Sequence, residues 1–424
     1  LETIGSGKKS HVYRVVIQRI NQASLFKHQV RNIIFLGFQG AGQTNGATSN
    51  DDHRKMRLHL TKITAAIIEY FIFYIAYSSI LRLNLPHFKS INKNSMARII
   101  AFREALREAM NEEMRRDDRV FLMGEEVAEY NGAYKVSQGM LAEFGPKRIL
   151  DTPIAELGFT AVGVGAAQRG LRPIVEFMTW NFAVLALDQI LNTASKMLAM
   201  SGGQISCPIV FRGGNGSAGQ LGAQHSTAFE SMYANIPGIK VVSPSNAYDA
   251  KGLLKQAIRY EEDPVIFMES EQMYGDKMEV PEEEYYIELG KADVKKEGTD
   301  VTIVSFNKMM KVALGAAAEL EKEGISAEVI DLRTIRPLDV PAIVKSIQKT
   351  NRLVIVEEQW PFASVSSEIA YNVQKDAFDY LDAPIRRITA ADAPLHYAAN
   401  LVAAALPDVA RTVKLVKEVM YQKK

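Results

Sequence analysis

The chain has 424 residues, 47% of them hydrophobic, which is enough for two or three domains with cores of their own and is not the composition of a disordered or fibrous protein. Its formal net charge of +1 is unevenly divided: residues 1–95 hold 13 Lys and Arg against 4 Asp and Glu, and residues 96–424 hold 37 against 45. An acidic main body argues against nucleic acid as its partner. The single cysteine, Cys207, excludes an internal disulfide framework or a cysteine metal cluster and points to a reducing, intracellular setting.

Residues 1–95 show no alternation of strand and helix patterns and contain the apolar run "ITAAIIEYFIFYIAYSSIL" (63–81), long enough to span a bilayer. Glu69 inside the run and its many tyrosines argue against a span, and the basic, acid-poor flanks resemble a targeting peptide. The composition changes at "NKNSMARIIAFREALREAM", so Met96 is read as the true start and 1–95 as an extension of doubtful origin, translated upstream sequence or an addition. "GSGKKS" (5–10) fails as a phosphate loop, because Lys9 follows Lys8 where Gly-Lys-Ser/Thr is needed.

From 96 onward the text is regular. An amphipathic helix pattern over Phe102 to Arg116 leads into "VFLMGE", and apolar runs then recur between helical segments: "RILDTPI", "RPIVEFM", "CPIVFRG", "KVVSPS" and "PVIFMES". Continuous rather than alternating apolar runs mark strands buried on both faces, the signature of a parallel sheet covered by helices. "EFMTWNFAVLALDQILNTASKMLAMSGG" (176–203) reads as a strand joined to a long helix, with Phe177, Trp180 and Phe182 clustered at the junction. The polar stretch 275–300 reads as a crossing linker. Beyond it "VTIVSF", "SAEVIDLRTI", "RLVIVEE" and "APIRRIT" alternate with helical segments at 308–323, 340–350, 364–380 and 407–422, a second and smaller parallel α/β pattern. The expected organisation is α/β with two parallel-sheet domains, 96–274 and 301–424.

Several residues could carry chemistry. "DTPIAELGFTAVGVGAAQRG" (151–170) sets one carboxylate, Glu156, before an apolar, glycine-rich helix. Its "GVGAAQRG" fails as a dinucleotide fingerprint, since Gln168 replaces the third glycine and the glycines lie inside the helix. Gly158, Gly163 and Gly165 are read instead as a close-packing surface for a neighbouring helix or subunit. Between 96 and 424 the histidines are His225 and His396. His225 ends the glycine-rich run "RGGNGSAGQLGAQHS" after an apolar strand, where α/β folds place ligands; His396 opens a late helix and is read as a packing or capping residue.

These residues resemble the β subunits of thiamine diphosphate-dependent pyruvate dehydrogenase, the first component of the 2-oxo acid dehydrogenase complexes. The resemblance covers nearly all of 96–424. It is carried, in order, by "FREALREAMNEEM", "GEEVAEYNGAYKVSQGM", "RILDTPIAELGF", "GLRPIVEFMTWNF", "DQILNTASKMLAMSGGQ", "PIVFRGGNG", "AQHS", "VVSPSNAYDAKGLL" and "IDLRTIRPLD". It implies a pyrimidine-binding thiamine diphosphate domain followed by a transketolase C-terminal-like domain, in a heterotetramer of two α and two β chains docked on a lipoyl acyltransferase core through the second domain. The α subunit would hold the cofactor diphosphate through Mg²⁺ with a Gly-Asp-Gly motif, which this chain lacks: Gly275-Asp276 is followed by Lys277.

The resemblance further implies that Glu156 hydrogen-bonds the ring nitrogen of the aminopyrimidine, so that the cofactor's own amino group can remove the thiazolium proton. The chemistry is consistent, since an apolar setting favours the protonated form of a carboxyl group and lets it share a proton with a ring. Phe182 would pack on the aminopyrimidine, and His225 would assist proton movement or acyl transfer to the lipoyl group. A structural monovalent cation, K⁺, would map to backbone carbonyls near Ile209, Ala257, Ile258 and Asp263. The wording of "FMTWNFAVLALDQ" and "GGNGSAGQLGAQHS" favours pyruvate over branched-chain 2-oxo acids or acetoin, and the presence of both Glu156 and His225 weighs against a non-catalytic paralogue. The setting implied is the bacterial cytoplasm, or the mitochondrial matrix or a plastid if 1–95 is a genuine targeting segment.

Overall fold

In the computed structural model, which describes residues 98–421, a short strand, β1 (Arg98–Ala101), runs straight into a helix over Phe102–Arg116. Phe102, Leu106, Ala109, Met110 and Met114 are buried along it at three- and four-residue spacing, so one apolar stripe faces inward. Ala101 has no side chain to cap the helix; the Glu104 carboxylate reaches back instead and accepts the Ala101 N–H at 2.7 Å.

The apolar runs become β2 (Val120–Gly124), β3 (Ile149–Asp151), β4 (Arg172–Thr179), β5 (Val210–Gly214), β6 (Lys240–Val242) and β7 (Val265–Glu269), parallel throughout in the spatial order β6-β7-β5-β4-β2-β3. Alternate side chains feed opposite layers. Phe121, Val175, Phe211 and Ile266 join the helix at Glu156–Gln168, whereas Leu122, Ile174, Val210 and Phe267 join the helices at Phe102–Arg116 and Ala247–Arg259. Gly163 is one reason the first helix sits so close: a Cβ there would lie 2.8 Å from Val175 Cγ2. Gly165 has no atom within 4 Å of that position, and Gly158 and Gly165 lie on the exposed side, so only part of the glycine stripe packs within the chain.

Residues 180–200, expected as one long helix, form a broken run instead. A single α-turn (Trp180–Ala183) is followed by a 3₁₀ turn (Val184–Ala186), a π-helical stretch (Gln189–Ala194) and another α-turn (Met197–Met200). The cause is legible in the apolar spacing. Buried Ala186, Ile190, Ala194 and Leu198 recur every fourth residue, longer than the 3.6-residue α period, and a widened turn keeps them on one face.

Beyond the first sheet, β8 (Lys277–Val280) pairs antiparallel with β1, and β9 (Asp293–Lys296) edges a second sheet, so the stretch read as a linker contributes a strand near each end. The second sheet contains the parallel strands β10 (Val301–Ser305) and β11 (Ala327–Asp331). "SAEVIDLRTI", read as one strand, divides after Asp331: Arg333 turns the chain through a positive φ of 57°, and β12 (Thr334–Arg336) pairs antiparallel with β6 of the first sheet. β13 (Leu353–Val356) and β14 (Arg386–Ile388) complete the order β14-β13-β10-β11-β9. Among the described residues no helix is long and apolar enough to cross a membrane. The run at 63–81 and "GSGKKS" lie outside the described residues.

A buried charge cluster sits where β11 gives way to β12. Asp331 is fully buried; the Ser245 hydroxyl and the Arg333 N–H donate to it, and Arg333 and Lys295 both pair with Asp249 at 2.6 Å. Burial, and after it the Asp249 carboxylate, raise the Asp331 carboxyl from 3.8 to about 7, with Lys295 pulling the other way. The folded chain therefore keeps this proton where the unfolded chain has lost it, and stability is expected to fall as pH rises from 3.8 to about 7, then to level off. Thermal midpoints of the parent and of Asp331→Asn should diverge in the variant's favour across that window. Parallel curves would show that Asp331 does not titrate there.

Candidate active site

Parallel strands end together, and the carboxyl ends of β2, β3, β4, β5 and β7 put Glu125, Glu156, Phe182, His225 and Glu271 on the loops and helix starts along one edge of the first sheet. Glu156 is the first residue of the helix at Glu156–Gln168. Ala155 before it has φ −157° and ψ 69° and offers no capping side chain, so the free N–H groups of the first turn favour an acid at this end. The Glu156 side chain is buried at 5% exposure, and no hydrogen bond to it occurs among the described residues. Glu125, just past β2, is similarly buried with its Oε1 unpartnered. Burial first and the Glu156 carboxylate second push the Glu125 carboxyl above its ordinary range.

Phe182 and His225 meet: their ring centroids are 5.2 Å apart at 81°, edge to face. Asn181 brackets the pair, its Oδ1 accepting the Thr227 N–H at 3.2 Å while its Nδ2 donates to Thr179 Oγ1 at 2.9 Å. His225 Nδ1 is buried without a partner. Glu271 lies within electrostatic reach of His225 and is hydrogen-bonded to Tyr134; burial raises its carboxyl, against the pull of Tyr134, His225 and Lys308. Phe177 and Trp180, the other aromatics of the junction, are core residues whose rings lie 5.6 Å apart, tilted by 57°, which leaves Phe182 as the ring available at the edge.

Under these loops Arg212 is clamped between two carboxylates. Its Nε donates to Glu269 Oε1 at 2.6 Å and its Nη1 to Glu176, and the Tyr274 hydroxyl donates to Glu269 Oε2 at 2.7 Å. All four side chains are buried, so the strand ends carrying the site are cross-linked by charge-assisted bonds across β4, β5 and β7.

Residues 98–277 match the transketolase pyrimidine-binding domain and residues 290–412 the transketolase C-terminal domain. The chain is 56% identical to the pyruvate dehydrogenase E1 component subunit beta of Rhizobium meliloti over 80% of this chain and 74% of that one. It is also 56% identical to the subunit beta of Rickettsia felis, over 76% of this chain and 98% of that one. The chain belongs to the pyruvate dehydrogenase E1 β-subunit family. A mitochondrial subunit beta-1 of rice, Oryza sativa subsp. japonica, is 54% identical over 78% of this chain and 89% of its own. The fold is shared more widely: a solved structure described as a split gene transketolase, inactive beta4 tetramer, superposes with a TM-score of 0.63 at 24% identity, over 77% of this chain and 99% of that one.

For this E1 β chain, then, Glu156, Phe182 and His225 lie on the same sheet edge, with Phe182 and His225 in contact. His396 is exposed ahead of a short helix, in a segment whose Tyr397 carbonyl lies 3.4 Å from Gln220 Nε2 of the glycine-rich loop. The carbonyls expected around a monovalent cation each accept a protein donor. Ile209 accepts the Val265 N–H at 2.9 Å, Ala257 the Tyr260 N–H at 3.2 Å, and Ile258 an Arg172 guanidinium N–H at 2.9 Å, while Asp263 faces Lys240 at 3.6 Å. Each carbonyl accepts one protein donor and keeps a second lone pair, and no step is assigned to a cation here. Glu125, Asn181 and Glu271 were not singled out from sequence. Glu125 carries a local signal, an acid directly after the strand-like run "VFLMG".

Proposed function

We propose that this chain supplies the aminopyrimidine side of a thiamine diphosphate site that is completed by an E1 α subunit, in a tetramer of two α and two β chains acting on pyruvate. The observation that carries the reading is the pairing of Glu156, alone at a helix start, with the Phe182–His225 contact on the same edge. Buried atoms without partners, Glu125 Oε1 and His225 Nδ1, fit a site whose polar groups await a ligand. Thiamine diphosphate, when bound, supplies the carbanion chemistry of decarboxylation. Glu156 would hold the pyrimidine nitrogen and its proton, Phe182 would cover the ring face, and His225 would take or return a proton as the acyl group passes to the lipoyl acceptor.

Mg²⁺ belongs to the α subunit in this reading, since Asp276, in Gly-Asp-Lys, is paired with Lys311. Ile154, Leu157 and Val162 stand exposed along the start and outer side of the helix that begins with Glu156, beside exposed Gly158 and Gly165, and form an apolar face suited to the α chain. The acyltransferase core would dock on the second sheet's side, where Arg386, Arg387, Arg411 and Lys414 border one groove. The thiol of the single cysteine, Cys207, is pushed up to about 12, chiefly by burial, which makes it a packed core group and not a reactive one. The compartment would be the bacterial cytoplasm or a mitochondrial matrix.

Co-expression with the cognate α chain tests the assignment. Reduction of an artificial electron acceptor is expected to require pyruvate, thiamine diphosphate, Mg²⁺ and both chains together. Turnover by the β chain alone would overturn the half-site reading.

A further inference from the structure

The loop that presents His225 is anchored by groups that follow strands of the second sheet. Lys308 comes after β10 and Glu358 after β13, and they form an ion pair at 2.8 Å with side chains 5% and 11% exposed. Between them they hold Ser217, itself 1% exposed, at both backbone groups: Glu358 Oε1 accepts the Ser217 N–H at 2.6 Å, and Lys308 Nζ donates to the Ser217 carbonyl at 2.7 Å. Lys308 is fixed in turn, because its neighbour Asn307 adopts a positive φ of 51° and donates to Ser243 Oγ at 2.8 Å and to the Met268 carbonyl at 3.2 Å.

From Ser217 the restraint reaches the site in two hydrogen bonds. Gly216 N–H donates to the Thr227 carbonyl at 3.1 Å, closing the loop two residues past His225, and Thr227 N–H donates to Asn181, next to Phe182. Gly216 has φ +76°, and a Cβ there would strike the Glu358 carboxylate, so this contact admits only glycine. Asn215, just past β5, donates its N–H to the Glu269 carbonyl at 2.8 Å and accepts the Phe229 N–H at 3.0 Å. Beyond Ser217 the ties to other elements, Gln272 to the Ala218 carbonyl at 3.3 Å and Gln220 to the Tyr397 carbonyl at 3.4 Å, are neutral and long, so the charged pair is the strongest hold on that part of the loop.

We infer that Lys308 and Glu358 are positioning residues that hold the His225 loop against Phe182 from the second sheet. The catalytic consequence rests on the proposed role of His225; the anchoring itself does not. In the assembled α/β enzyme, Lys308→Met is expected to speed amide hydrogen exchange over residues 215–227 by about tenfold or more. It should lower kcat for lipoyl acetylation with little change in KM for pyruvate, and Lys308→Arg should recover most of both. Combined with His225→Gln, it should add almost nothing to the loss caused by His225→Gln alone.

Unchanged exchange in the loop would overturn the inference, as would losses that multiply in the double variant. If His225→Gln alone leaves turnover intact, the role of His225 fails and loop exchange still decides the anchor. Should Lys308→Met not fold, Gly216→Ala, whose Cβ would push against the Glu358 carboxylate and part it from the loop, is expected to show the same rise in exchange and loss in kcat. A loop indifferent to Gly216→Ala would count against the anchor equally.

Discussion

Glu156→Gln in the assembled enzyme is expected to lower kcat by roughly 10²- to 10⁴-fold, the span associated with a positioned acid–base group, while leaving tetramer assembly and the thermal midpoint nearly unchanged. The amide keeps the size and the helix-start position of the carboxyl, so packing around the 5%-exposed side chain survives, but it cannot carry a proton to a ring nitrogen. Turnover by pyruvate-dependent acceptor reduction, read beside size-exclusion and melting data, checks both halves. Wild-type turnover would remove Glu156 from the chemistry, and loss of assembly would make it structural.

The largest stability effect is expected at Arg212. Arg212→Met leaves Glu176 and Glu269 facing each other in the core without their shared cation, and breaking a buried pair of this kind costs about 3–5 kcal/mol. A melt of the variant should show the loss directly. Adding Glu176→Gln and Glu269→Gln should recover much of it, since the cost lies in the orphaned charges rather than in the missing contact. If Arg212→Met melts with the parent, the cross-link between β4, β5 and β7 is not holding the site's strand ends.

What sequence made legible and what it hid divide along physical lines. The interior strands announced themselves because both of their faces are covered: "VFLMG", "VIFME" and "LVIV" are apolar at all positions or all but one and are buried throughout. β8 and β9 escaped notice because "KMEV" and "DVKK" are short, polar and on sheet edges, where burial imposes no pattern. β12 was hidden inside a longer apolar run, and only the backbone turn at Arg333 separates them.

The site shows the same division. Glu156 stood out locally as an acid in an apolar segment, and His225 as the end of a glycine run after a strand. The contact of His225 with Phe182, the neighbour Glu125 and the reach of Glu271 depend on which strands lie side by side, information carried by the order β7-β5-β4-β2-β3 and by no single segment. The π-helical stretch was written in the fourth-residue spacing of Ala186, Ile190, Ala194 and Leu198 but was read as an ordinary helix.

β12 has a consequence for how the protein can be made and cut. A ribosome that has delivered every residue from Glu125 to Glu271 has delivered the candidate site's side chains, yet the sheet beneath them still lacks its last strand, which arrives only with Thr334–Arg336. Until then β6 offers a bare row of amides and carbonyls to any other strand nearby, a ready seed for self-association. Excising the first sheet as an independent fragment would leave that edge bare permanently, and such a fragment is expected to self-associate.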